Sequence, residues 1–202
     1  PFGQTVSMEI YGTDYSDVEI SMTGKHQGEN LKTALTIIEV LRKERKIKVE
    51  RSKLYEGLKK AVQPGRFEVL QGDYAQPPMV IIDGAHNEAG AEALSHTVSK
   101  YFEGMKILLV TGMLADKQVE EILKHFTRIT KDIIITEPDN PRKLTADKLA
   151  VLLEEKGCTC HVAPMAEDAC AHVDKIKDQY DVVLFAGSLY LIGKIRSILK
   201  NA

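Results

Sequence analysis

From Arg66 onward the chain alternates short apolar runs with longer stretches whose apolar residues recur at helical spacing. The runs predict strands at residues 67–70, 79–82, 106–110, 132–135, 160–162 and 181–185. Most are apolar throughout rather than at every second position, which marks strands covered on both faces. The stretches between them predict helices at residues 88–101, 117–128, 145–156, 166–179 and 188–200, with Thr145 read as the N-cap of the third. Strand–helix alternation of this kind implies an α/β domain with a mainly parallel sheet and helices on both faces.

The first third reads differently. Val18-Glu19-Ile20-Ser21-Met22 alternates with period two, as a half-buried strand does, and residues 5–22 read as a hairpin broken at Tyr11-Gly12-Thr13-Asp14 and Tyr15-Ser16-Asp17. Gly24-Lys25-His26-Gln27-Gly28 reads as a loop, followed by a helix at residues 30–46 with Leu31, Ala34, Leu35, Ile38 and Leu41 on one stripe. A second helix at residues 51–62 stops before Pro64-Gly65, a strong breaker pair. A hairpin and two helices are too little to bury a core alone. Residues 1–63 are therefore read as the tail of another domain and residues 64–202 as a domain in their own right. The opening Pro1-Phe2-Gly3-Gln4, without Met, reads as the start of an excised piece, so some functional parts are expected outside it.

Composition narrows the function classes. Lys+Arg at 27 against Asp+Glu at 29 gives a formal charge of -2, which offers nucleic acid or an anionic membrane no general attraction. No apolar run approaches the roughly 20 residues of a membrane span, and a cytoplasmic setting is expected. Cys158, Cys160 and Cys170, with His161 and His172 nearby, fit none of the usual zinc spacings and read as reduced structural thiols.

Ligands of parallel α/β sheets bind beyond the carboxyl ends of the strands. Four such ends stand out: Asp83-Gly84-Ala85-His86-Asn87, Thr111-Gly112-Met113-Leu114-Ala115-Asp116-Lys117, Thr136-Glu137-Pro138-Asp139-Asn140-Pro141-Arg142 and Ala186-Gly187-Ser188-Leu189-Tyr190. Asp83, directly after a buried strand, suits the paired hydroxyls of a ribose; the alternative is a helix cap, a task Asn87 also fits. His86 stands in the same turn and offers an imidazole for acid–base or hydrogen-bonding work. Gly187-Ser188 opens a helix whose N–H groups suit a carboxylate or phosphate, although an ordinary Ser N-cap has the same appearance. Lys117 and Arg142 suit anionic substrates. No G-x-x-x-x-G-K-[ST] loop and no G-x-G-x-x-G fingerprint occurs, which argues against a self-sufficient NTPase or dehydrogenase.

Four motifs taken together carry a resemblance: Gly24-x-His26-Gln27-x-x-Asn30, Pro64-Gly65-Arg66-Phe67-Glu68, Asp83-Gly84-Ala85-His86-Asn87 and Gly187-Ser188-Leu189-Tyr190-Leu191. Their order and spacing resemble the folylpolyglutamate synthases, including the bifunctional dihydrofolate synthases, of the Mur ligase superfamily. The resemblance runs from about residue 18 to the end. It implies that residues 64–202 are a C-terminal Rossmann-like glutamate-ligase domain and residues 1–63 the tail of a central ATPase domain. The phosphate loop, the Mg2+ ligands and a carbamylated lysine would lie outside this chain. It further implies ATP contacts from Asn30, Arg66 and Asp83, and glutamate contacts from His86 and Ser188. His86 and Lys117 become the catalytic candidates, Lys117 neutralising developing charge. ATP, L-glutamate and folate or dihydropteroate are the implied partners, and a monomer the implied state.

Two departures from the pattern touch Asp116 and Asn87. Asp116-Lys117-Gln118 stands where many relatives have Asp-Lys-Asp, and Glu88 where Pro often follows the Asn. Other readings stay open at this point. They are a muramyl-peptide or cyanophycin-type ligase, and a non-catalytic α/β binding module.

Overall fold

The computed structural model describes residues 2–201, which divide into two compact units at Pro64/Gly65. In the first unit, β1 (Gln4–Ile10) and β2 (Thr13–Ile20) form an antiparallel hairpin, followed by α1 (Lys25–Lys43) and α2 (Arg51–Lys60). Val18, Ile20, Leu31, Leu35 and Leu54 pack its small core. Two sequence expectations are corrected here. Tyr15-Ser16-Asp17 is not a turn but part of β2. The register shifts opposite Val6–Met8, and Asp17 takes a left-handed φ of 54° with its N–H on Ser7 Oγ at 2.9 Å, a bulge rather than a reversal. The Gly24–Gly28 segment is not a loop either. Gln27 N–H closes on the Gly24 carbonyl at 2.9 Å and its side chain is buried, so α1 starts a turn and a half before residue 30.

A buried acid holds this unit together. The Glu39 carboxylate accepts from the Tyr15 hydroxyl, from Arg42 Nη1 at 2.9 Å and from Thr13 Oγ1 at 3.3 Å. Those bonds, the Tyr15 bond foremost, hold its pKa below the usual carboxylate value despite burial. Burial, together with the Glu39 charge, pushes the Tyr15 phenol up to about 12, so it remains the donor. A carboxyl group whose folded pKa is depressed contributes stability above its unfolded value of roughly 4.3 and loses it as pH falls through the folded value. Glu39→Gln is therefore expected to cost about 1–3 kcal/mol at neutral pH and to flatten the loss of stability below pH ~4. Urea unfolding followed from pH 7 to pH 3 checks both; an unchanged acid limb would contradict the assignment.

The second unit is a six-stranded sheet in the order β3-β4-β8-β5-β6-β7. Its strands are β3 (Glu68–Gln71), β4 (Met79–Ile82), β5 (Ile107–Thr111), β6 (Asp132–Ile135), β7 (Thr159–Val162) and β8 (Val182–Ala186). Only β3 runs antiparallel to its neighbour. The helices are α3 (Glu88–Tyr101), α4 (Val119–Ile129), α5 (Ala146–Glu154), α6 (Ala166–Ile176) and α7 (Leu189–Asn201). Val80, Ile82, Leu108, Val110, Val183 and Phe185 pack against α6 and α7 on one face. The alternate residues Ile81, Leu109, Ile133 and Leu184 are as deeply buried, which leaves α3, α4 and α5 to cover the other face. Thr145 precedes α5 but makes no side-chain cap; the Glu137 carboxylate takes the Ala146 N–H at 2.9 Å instead. Among the described residues no helix is long and apolar enough to cross a membrane.

Candidate functional site

The loops after β4, β5, β6 and β8 all leave from one edge of the second unit's sheet, because those strands are parallel. At the end of β4, the two oxygens of Asp83 accept the N–H of Phe67 and of Ala85, each at 2.8 Å. Asp83 thus joins the segment before β3 to the segment after β4. It does not cap α3, since Asn87 does so by accepting from Gly90 N–H at 2.8 Å. Phe67 sits at a left-handed φ of 44°, unusual for a bulky residue, and is held there by the Asp83 bond and by stacking on Phe102 at 6.1 Å.

Arg66 is aimed by this arrangement. A Cβ placed on Gly84 would lie 3.2 Å from Arg66 Nη1 and 2.4 Å from Leu189 Cδ2, so a side chain there would displace both from over the turn. Arg66 has no ion-pair or hydrogen-bond partner among the described residues. Its neighbour Glu68 is fully engaged, accepting from Gly65 N–H at 2.8 Å and from Arg196 Nε at 3.0 Å, with Lys200 at 3.5 Å. Burial raises the Glu68 pKa, but Arg196, the Gly65 N–H and Lys200 outweigh it and leave the group below its ordinary value. Sequence reading gives Glu68 no role, because its cationic partners Arg196 and Lys200 lie 128 and more positions away.

A second feature lies along the same edge: a cavity of about 130 Å³ lined by His86, Lys117, Arg142, Ser188 and Tyr190, among others. His86 Nδ1 is 2.7 Å from the Gly84 carbonyl, which can only accept, so Nδ1 carries the proton and Nε2 is the free nitrogen. Ser188 is buried, and its Oγ accepts the Tyr190 N–H at 3.2 Å, leaving the hydroxyl proton for another acceptor. The cap and the anion-donor readings of Ser188 are therefore compatible. Gly187 brings Ser188 here with a φ of 118°, and a Cβ on it would meet Thr111 Oγ1 at 2.6 Å. Arg142 Nη1 holds Asp116 at 2.8 Å. Lys117 has no acidic partner among the described residues. Asn30 belongs to the first unit, on α1, where its amide donates to Gln27 Oε1 at 3.0 Å.

The cysteines lie elsewhere. Burial pushes the Cys160 and Cys170 thiols up to about 11, and His161 and His172 stack face to face at 3.7 Å. Among the described residues no three His, Cys, Asp or Glu side chains are grouped to hold a metal ion.

The model of the Mur ligase glutamate ligase domain matches residues 65–189, a span that takes in Arg66, Asp83, His86, Lys117, Arg142 and Ser188. The chain belongs to this family. Among curated proteins it is 32% identical, over 99% of its own length and 45% of the relative's, to a dihydrofolate synthase/folylpolyglutamate synthase of Bacillus subtilis. A protein of the same name from Mycobacterium tuberculosis is 28% identical over 89% of this chain and 35% of its own. Among solved structures, the M. tuberculosis folylpolyglutamate synthase complexed with ADP superposes with a TM-score of 0.87 at 26% identity, covering 98% of this chain and 45% of that one. The chain thus spans somewhat under half the length of these relatives. The mainly parallel α/β fold inferred from sequence is the fold of this ligase domain.

Proposed function

We propose that the chain is the C-terminal part of an ATP-dependent ligase that adds L-glutamate to a folate, or to dihydropteroate, through an acyl phosphate. The observation that carries this reading is a pair of neighbouring cationic features on one sheet edge. Arg66 stands over the Gly84 turn and Lys117 lines the cavity beside it, neither with an acidic partner among the described residues. The relatives named for this activity, and the one complexed with ADP, support the choice of reaction.

In this reading the substrate carboxylate attacks the γ-phosphorus of ATP, releasing ADP and forming the acyl phosphate. The α-amine of glutamate then attacks the acyl carbon, the carbon–oxygen bond to phosphate breaks, and an amide, phosphate and a proton result. Arg66 binds phosphate oxygens through its planar fork of donors. Asp83, at the end of β4, serves the ribose. His86, with Nδ1 engaged by the Gly84 carbonyl, presents Nε2 to the glutamate amine and positions it, while the Ser188 hydroxyl and the start of α7 take a carboxylate. Lys117 neutralises charge developing as phosphate departs. The Mg2+ that accompanies ATP would take its ligands from the rest of the ligase and would neutralise phosphate charge there.

The test is ATP-dependent incorporation of labelled glutamate. The full-length ligase should form folylglutamates, with folates and not UDP-muramyl peptides acting as acceptor, whereas the 202-residue chain alone should show no turnover. Incorporation only into a muramyl peptide would move the substrate to another branch of the superfamily, and turnover by the isolated chain would overturn its reading as a partial site.

A further inference from the structure

Away from the candidate site, β7 closes one side of the second unit's sheet. It is four residues long, pairs with β6 at the end of the strand order, and leaves most of its side chains exposed. The parallel register sets His161 opposite Ile134, which packs on the α6 face, so His161 points to that face as well. There it meets His172 of α6 ring on ring, with centroids 3.7 Å apart and planes 8° from parallel. His161 is exposed and His172 half-buried. Imidazole lone pairs lie in the ring plane, so two parallel rings do not converge on one metal ion. What the two rings share is a face, and a shared face tolerates one charge better than two.

We propose that the His161–His172 stack is a pH-sensitive clasp, which holds β7 onto α6 while the rings are neutral and releases the strand when both take a proton. One imidazolium rests on the face of a neutral ring at little cost, whereas two stacked imidazolium charges repel at close range. The surrounding charges favour the neutral pair. Burial foremost, then His161 and then Lys175, one turn along α6, hold the His172 pKa below its ordinary value. The carboxylates of neighbouring elements are engaged elsewhere. Glu167 pairs with Lys194 of α7 and Asp174 with Lys177, while Glu154 of α5 acts on Cys160 and Asp132 of β6 on the Tyr180 phenol. Asp168, one turn before His172, is exposed, where solvent screens its attraction. A histidine whose pKa is depressed in the closed state contributes stability that is fully present above its open-state value of roughly 6.5. That stability is lost as pH falls toward the folded value. Release would reach further than the strand. The Ala163 N–H donates to the Ile135 carbonyl at 2.8 Å, and the Pro164 carbonyl accepts the Glu137 N–H at 3.0 Å and Thr136 Oγ1 at 3.1 Å. The start of the loop after β6 therefore loosens with β7.

The experiment is hydrogen exchange read by mass spectrometry in the full-length protein at pH 7 and pH 5, corrected for the intrinsic pH dependence of exchange. Peptides covering residues 159–164 and 136–139 should lose protection about tenfold at the lower pH, while peptides from β5 and β8 at the centre of the sheet keep theirs. The double variant His161→Phe/His172→Phe keeps two flat rings in contact with no proton to take. It should hold at pH 5 the protection it has at pH 7. His161→Phe alone changes only the exposed ring, so it serves where the double variant does not fold, and it too should shrink the pH-dependent loss. A stack that merely packs predicts a different pattern, an equal loss at both pH values in the variants. That pattern would overturn the proposal, as would equal protection of β7 at pH 7 and pH 5 in the unsubstituted protein. A pH-dependent loss of undiminished size in the phenylalanine variants would overturn it too, by moving the titrating group elsewhere.

Discussion

Gly112→Ala should destabilise the second unit by about 3 kcal/mol or more, enough to move its urea midpoint well outside experimental error. The reason is backbone against backbone. A Cβ on Gly112 would lie 2.2 Å from the Thr136 carbonyl oxygen, 3.0 Å from the Thr136 carbonyl carbon and 3.2 Å from Pro138 Cδ. None of these atoms is the end of a flexible side chain, and Thr136 N–H is itself bonded to the Thr111 carbonyl at 2.9 Å. Relief therefore requires parting the carboxyl ends of β5 and β6, which also carry Lys117 and Arg142. Gly193→Ala is the matched control. It sits in α7 with nothing within 4 Å of an added Cβ, so it should be neutral or stabilise by up to ~1 kcal/mol through helix propensity. Equal losses at both positions would mean that close approach is not what Gly112 provides.

The second large effect is expected at Asp83. Alanine there removes the acceptor of two backbone N–H groups at once, those of Phe67 and Ala85. Each orphaned donor costs on the order of 1–3 kcal/mol where water does not replace the lost bond. Asp83 is only partly buried, so a combined loss of about 2–3 kcal/mol is the expected outcome by equilibrium unfolding. The damage should reach function through geometry as well as through a missing ribose contact. Without the Asp83 bond Phe67 loses one of the contacts that hold it at its left-handed φ, and the adjacent Arg66 is displaced with it.

Much of this architecture is legible in the sequence, for reasons that differ by residue. The strands stand out because residues such as Val80, Ile81 and Ile82 are buried on both faces, and a short run that is apolar at every position is the mark such burial leaves. The candidate loops follow from the strand ends, so Asp83, His86, Lys117 and Ser188 are nameable without coordinates. What escapes is partnership over long separation. Glu68 with Arg196 and Asp83 with Phe67 each join segments whose proximity only the sheet order reveals. Thr145 misleads because a good capping residue type is only a preference, and here the side chain that serves the start of α5 is the Glu137 carboxylate, on the Ala146 N–H. The start of α1 is hidden because Gly24 offers no capping side chain and Gly28 reads as a breaker, whereas burial of Gln27 and Leu31 extends the helix past both.

The central claim is that one sheet edge is shared between a nucleotide, on the Arg66–Asp83 side, and an amino acid, on the His86–Ser188 side. Steady-state KM values for ATP and for glutamate, measured in the full-length ligase carrying Asp83→Ala or Ser188→Ala, test that division directly. The account predicts opposite rankings: Asp83→Ala raises the KM for ATP more than that for glutamate, and Ser188→Ala does the reverse. The same ranking in both variants, or a larger glutamate effect in Asp83→Ala, would contradict it.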